Sequence, residues 1–199
     1  MRLCGMMRVK TIFVMALAGL LLTCAGCDQK KDNDLKLLSA LNPSRDFILL
    51  DQEGRVFRLS EHRGEVLLLF FGYLTCPDVC PTTLSKLARV YTLLGTKRQK
   101  VKTLFVSVDP KRDTPAKMKE YLDYFDIKAL GLSGSQPQID QVVKAYGAYY
   151  EQVNTTSSLG YLINHTDYVY LIDSQGQVRH LFHPQDKAQD MAALIERLL

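Results

Sequence analysis

Val66 to Phe71 is an unbroken apolar run, and five residues beyond it come Cys76 and then Cys80, with Pro77 and Pro81 directly behind them. A strand that is apolar at every position must be covered on both faces, which places it inside a sheet rather than at an edge. The chain therefore leaves the middle of a sheet through a turn that carries two thiols. Behind the turn Leu84, Leu87, Ala88 and Tyr91 recur at helical spacing until Gly95 stops them, so the order is strand, cysteine turn, helix.

The rest of the chain supplies what such a strand needs around it. Phe47 to Leu50 and Val56 to Leu59 flank Asp51-Gln52-Glu53-Gly54, a hairpin signature. Three more helices follow from spacing: Met118, Tyr121, Leu122 and Phe125 after Thr114-Pro115; Ile139, Val142, Val143 and Tyr146 after Pro137; Met191, Leu194, Ile195 and Leu198 near the end. Asp186 with Gln189 is the expected capping box of the last. Thr103–Val108, Ala129–Leu132, Tyr168–Ile172 and Val178–Phe182 have strand length, the last two around the turn Asp173-Ser174-Gln175-Gly176. Alternating strands and helices with a late hairpin predict an α/β, thioredoxin-like fold: a mixed central sheet flanked by helices, with an N-terminal β-hairpin.

The first residues belong to something else. Arg2, Arg8 and Lys10 precede an uncharged stretch from Thr11 to Gly26 that ends in Cys24-Ala25-Gly26-Cys27, the outline of a secretory leader. The stretch is short of the roughly 20 residues a bilayer-spanning helix needs, although a short uncleaved anchor is the alternative. The pattern resembles a bacterial lipoprotein signal, which makes Cys27 the expected lipid anchor; Cys24 departs from the leucine usual at its position. The expected organisation is a lipoprotein-type signal peptide at 1–26, a tether at 27–45 and one domain at 46–199. Asp28 resembles the signal that retains such proteins on the inner membrane, so the domain is expected outside the cytoplasm, on the periplasmic side, anchored there.

Removing residues 1–26 takes away three basic side chains and no acid, so the net charge of +4 falls to +1. That balance gives no footing for nucleic-acid binding, and Lys97 to Lys102 reads as a solvated turn. Of five cysteines, Cys4 and Cys24 lie in the leader and Cys27 at its end, leaving Cys76 and Cys80 as the thiols of the domain.

The prolines shape how those two thiols are presented. A residue before proline is pushed away from helical geometry, so Cys80 is expected as the N-cap, Pro81 as the first helical residue and Cys76 in the loop beyond. Both sulfurs then lie near a helix N-terminus, which favours thiolate. Such a pair can exchange electrons, bind a soft metal or form a structural bridge. His165, directly before a predicted strand and behind the polar loop Asn154 to Gly160, lies where thioredoxin relatives carry a cis-proline. Two thiolates and an imidazole nitrogen suit copper, especially Cu(I), with Cu(II) a second state, and zinc could use the same atoms. His62, His180 and His183 read as structural or surface residues.

Phe71-Gly72-Tyr73, Cys76-Pro77-Asp78-Val79-Cys80-Pro81, Ser107-Val108-Asp109-Pro110, Arg112-Asp113-Thr114-Pro115 and His165 with Tyr170 to Asp173 together resemble the Sco/SenC family over roughly residues 45–199. The resemblance implies a membrane-tethered copper metallochaperone that assists assembly of the binuclear copper centre of cytochrome c oxidase, with that oxidase's copper-bearing subunit, or another copper or thiol protein, as partner. Its metal ligands map to Cys76, Cys80 and His165. Asp78 and Asp109 match acidic positions beside them, against a plainer role in turns and caps, and Asp113 is expected to cap the next helix. Thr75 stands where many relatives carry histidine, and Leu74 where threonine is common.

Two other activities use the same cysteines. A thiol-disulfide oxidoreductase that reduces partner cysteines before metallation would use Cys76 and Cys80 catalytically with little need of His165. A peroxidase would need an arginine supporting one activated cysteine, and no residue beside Cys76 fixes one.

Overall fold

The computed structural model describes residues 46–156 and 159–199. The leader at 1–26, Cys27 and the tether at 27–45 lie outside the described residues.

Seven strands form one sheet in the order β2-β1-β5-β4-β3-β8-β9. They are β1 (Ile48–Asp51), β2 (Val56–Arg58), β3 (Val66–Gly72), β4 (Val101–Ser107), β5 (Ala129–Ser133), β8 (Val169–Ile172) and β9 (Val178–Phe182). β3, β4 and β5 run parallel, and every other pair is antiparallel. The expected mixed sheet is therefore a parallel centre with a hairpin on each flank. β3 is buried at all seven positions, as its unbroken apolar run requires.

Alternate side chains of β3 go to opposite layers. Val66, Leu68 and Phe70 join one core with Leu84, Leu87 and Tyr91 of α1 (Val79–Leu94), Leu122 of α2 (Pro115–Asp123) and Met191 and Ile195 of α4 (Ala188–Glu196). On the other layer Phe71 meets Tyr146 and Tyr170 edge-on at 6.2 and 5.9 Å. Tyr146 closes α3 (Gln136–Ala145), whose Ile139, Val142 and Val143 are buried.

Two end signals work differently from expectation. The capping box belongs to α3, where Ser135 and Gln138 satisfy each other. α4 instead starts behind Lys187 without a side-chain cap. Asp186 turns its carboxylate back to the N–H of His183 at 2.8 Å, inside the turn that precedes the helix.

The segment expected as a polar loop, Asn154 to Gly160, is flanked by two strands the periodicity does not reveal. β6 (Tyr150–Asn154) and β7 (Tyr161–His165) pair antiparallel in a sheet of their own.

Candidate metal centre

β3 delivers the chain to the cysteine turn, and α1 takes it up two residues earlier than the prolines suggest. Asp78 occupies the N-cap position and Cys80 is the second helical residue, fully buried. Pro81 is tolerated at the third because the first N–H groups of a helix have no intrahelical acceptor to lose. Cys76 stands just outside the helix, half-buried, where the amides of Asp78 and Cys80 donate to its sulfur. The Cys80 thiol donates to the same atom and, against the cost of burial, draws Cys76 well below the ordinary thiol range. Cys80 moves the opposite way, its proton held by the Cys76 sulfur and by burial. Both cysteines are free thiols.

His165 reaches this pair from the end of β7. Its Nε2 lies 3.5 Å from Cys80 Sγ and 3.9 Å from Cys76 Sγ, and the three donor atoms all lie within 4.8 Å of one another. On its far side Nδ1 meets the carbonyl of Thr166 at 2.9 Å. A carbonyl only accepts, so Nδ1 carries a proton toward Thr166, and Nε2 is the nitrogen that faces the sulfurs. Phe70 and Tyr73 stand edge-on to the imidazole at 6.0 and 5.8 Å. An ion held about 2.0–2.3 Å from nitrogen and sulfur fits donors at these separations, and two sulfurs with one nitrogen form a soft set.

The aspartates divide. Asp78 is exposed and its side chain caps nothing; its backbone amide is what meets Cys76. Asp109 is buried, pairs with Arg112 and accepts the hydroxyl of Tyr161 at 2.8 Å. Asp113 does not cap α2, because Thr114 does so by accepting from the amide of Lys117. Its carboxylate instead accepts the amide of Leu74 at 3.1 Å and the hydroxyl of Ser107 at 2.6 Å. It thus ties the cysteine turn to the end of β4, a contact across 39 positions that the sequence does not announce. Burial pushes Asp113 up to about 6.

Tyr73 and Gly72 were also not singled out as site residues. The Tyr73 hydroxyl accepts the amide of Ile163 on β7 at 3.1 Å. At Gly72 a side chain would run into the sulfur of Cys80, 2.8 Å from where its Cβ would stand. The remaining histidines lie elsewhere: His62 stacks on Phe57 at 4.5 Å and bonds Glu65, while His183 packs against Tyr168 and His180 against Phe182. Among the described residues Cys76, Cys80 and His165 are the only such donor cluster.

Fold and site together define a thioredoxin-like protein whose cysteine turn is completed by a distant histidine into a soft three-donor cluster. A family model described as SCO1/SenC matches residues 37–199. The chain belongs to that family. It is similar to the ScoI protein of Bradyrhizobium japonicum solved with copper bound, at 39% identity and a TM-score of 0.72 over 78% of this chain and 98% of that one. Yeast Sco1 with copper bound shares 31% identity and a TM-score of 0.70 over 77% and 86%. The SCO2-like protein of Rickettsia felis is 37% identical over 139 residues, 69% of this chain and 68% of that protein.

Proposed function

We propose that this chain binds copper as cargo through Cys76, Cys80 and His165 and delivers it during assembly of the binuclear copper centre of cytochrome c oxidase. The observation that carries the reading is the placement of His165 Nε2 against both sulfurs with Nδ1 already engaged by Thr166. Support comes from the copper-bound Sco structures it resembles and from membership of a family that works in oxidase assembly. The recipient in this reading is the copper-bearing subunit of the oxidase. The domain works outside the cytoplasm, held to the inner membrane through the N-terminal segment and lipid on Cys27, a placement supported by the leader pattern at 1–26. Cu(I) titration of the reduced protein tests the site. His165→Ala and Cys76→Ala are expected to weaken binding and change the copper spectrum, and a His165→Ala protein that binds as tightly as the parent with the same spectrum would sink the three-donor assignment.

One observation favours a second activity. The Cys76 sulfur is poised as a thiolate beside the Cys80 thiol, the arrangement needed to attack a partner's disulfide and then release it by closing Cys76 on Cys80. The pair loses two electrons and the single Cys80 proton, and the partner leaves as one thiol and one thiolate that takes its second proton from water. Turnover with a disulfide substrate in the absence of metal, insensitive to His165→Ala, identifies this activity.

A further inference from the structure

Arg112 joins the cysteine side of the centre to the ribbon that brings the histidine. It stands on the turn between β4 and α2, beside two buried carboxylates, Asp109 and Asp113. Its guanidinium pairs with Asp109 and donates through Nη1 to the carbonyls of Leu159 and Tyr161 at 3.1 and 3.0 Å. It also lies 3.6 Å over the Tyr161 ring and 5.7 Å from that of Tyr73. Tyr161 in turn donates its hydroxyl to Asp109. These bonds converge on the first residue of β7, and His165 is the last residue of the same strand.

At its other end the ribbon is held through Tyr150, the register partner of His165, whose hydroxyl bonds Asp140 and Gln136 of α3. Among the described residues β6 and β7 pair only with each other and with no strand of the large sheet, so no backbone ladder sets where the ribbon lies. Side-chain bonds do this instead: Tyr150 against α3, the Tyr73 hydroxyl at Ile163 and, at the start of β7, Arg112. We infer that Arg112 is a positioning residue for His165, clamping the start of β7 so that the imidazole at its end stands against the two sulfurs. The inference rests on the copper reading for its consequence, although the clamp itself exists without metal. A planar fork is required, because one ammonium cannot pair with Asp109, reach two carbonyls and stack on Tyr161 together.

Losing a hydrogen-bond partner of a metal-binding histidine typically weakens metal affinity by about 10–100-fold, and loss of the clamp at the far end of its strand is expected to fall in the same range. The test measures Cu(I) affinity by competition with a chromophoric chelator for Arg112→Gln and Arg112→Lys, each alone and combined with His165→Ala. NMR of the metal-free proteins follows the contact between the ring protons of His165 and Tyr73. Arg112→Gln is expected to weaken Cu(I) binding by about 10–100-fold, to change it by less than about twofold in the His165→Ala background, and to lose the ring contact. Arg112→Lys, which keeps a cation beside Asp109 and so guards against a folding failure, should lose the ring contact while melting close to the parent. Equal weakening in both backgrounds, or a ring contact that persists in both variants, overturns the clamp. A parent protein that binds Cu(I) no better than His165→Ala overturns the copper reading instead, and the metal-free ring contact still decides the clamp.

Discussion

Replacing Gly72 by alanine tests how tightly β3 and the cysteine turn are fitted. The new Cβ would stand 2.8 Å from Cys80 Sγ, 2.8 Å from Phe105 Cε2 and 3.1 Å from Phe105 Cζ. Ordinary contact begins near 3.4 Å, so sulfur or ring must move by roughly 0.6 Å in a region already packed at crystal-like density. Both neighbours are fully buried, which leaves no open side to move toward. The backbone at Gly72 is not left-handed, so the cost is one of packing. Overpacking of this size costs about 1–3 kcal/mol, against about 0.5–1 kcal/mol recovered by taking glycine out of a strand. A net loss of about 0.5–2 kcal/mol lowers the melting temperature of a domain this size by about 1–8 °C. Because Cys80 is one of the displaced groups, Cu(I) affinity should fall as well. Calorimetric melting with a chelator-competition titration measures both. Phe105→Leu should relieve part of the strain, so the double variant costs less than the two single losses added together. Parent-like melting and affinity in Gly72→Ala, or strict additivity with Phe105→Leu, would refute the packing argument.

Two titrations probe the same neighbourhood. Burial raises Asp113 from the usual 3.8 to about 6, so the folded protein holds that proton more tightly than the unfolded chain. Stability from this group is complete below about pH 4 and is lost as the pH rises through 6, by about 3 kcal/mol across the window. Urea midpoints against pH should therefore diverge between the parent and Asp113→Asn, and parallel curves would show the burial argument to be wrong. Cys80→Ala removes the S–H donor that holds the Cys76 thiolate. In the metal-free protein its thiolate absorbance should then titrate at higher pH, and an unchanged titration would mean the two sulfurs do not share a proton.

The elements legible in the sequence are those with local signals. An apolar run with no polar break announced β3, and prolines near the starts of α2 and α3 marked where those helices begin. β6 carries no comparable signal: four of its five residues are exposed, so no burial pattern was imprinted on it. His165 stood out because an imidazole lies where a proline is usual, but its approach to the sulfurs depends on a ribbon the periodicity hides. Asp113 departs from expectation for a physical reason. A carboxylate just ahead of a helix is ordinarily a cap, and nothing nearby reveals that the amide of Leu74, far back along the chain, is the partner it serves. Cys80 was placed two residues too early in the helix because the rule for residues before proline is relaxed in the first turn.

The ribbon's separation from the large sheet gives the centre an unequal durability. Segments of a folded protein open at different free energies, and the cost follows how much buried structure must be broken. Both sulfurs follow the exit of β3, which is buried throughout and paired on both sides, so parting them disturbs the centre of the sheet. The imidazole hangs from a two-stranded element with a largely exposed outer strand, so opening there breaks less buried structure. By that measure the less costly opening at the centre is the one that keeps the two thiols together and withdraws the histidine, leaving two sulfurs open to whatever approaches from that side.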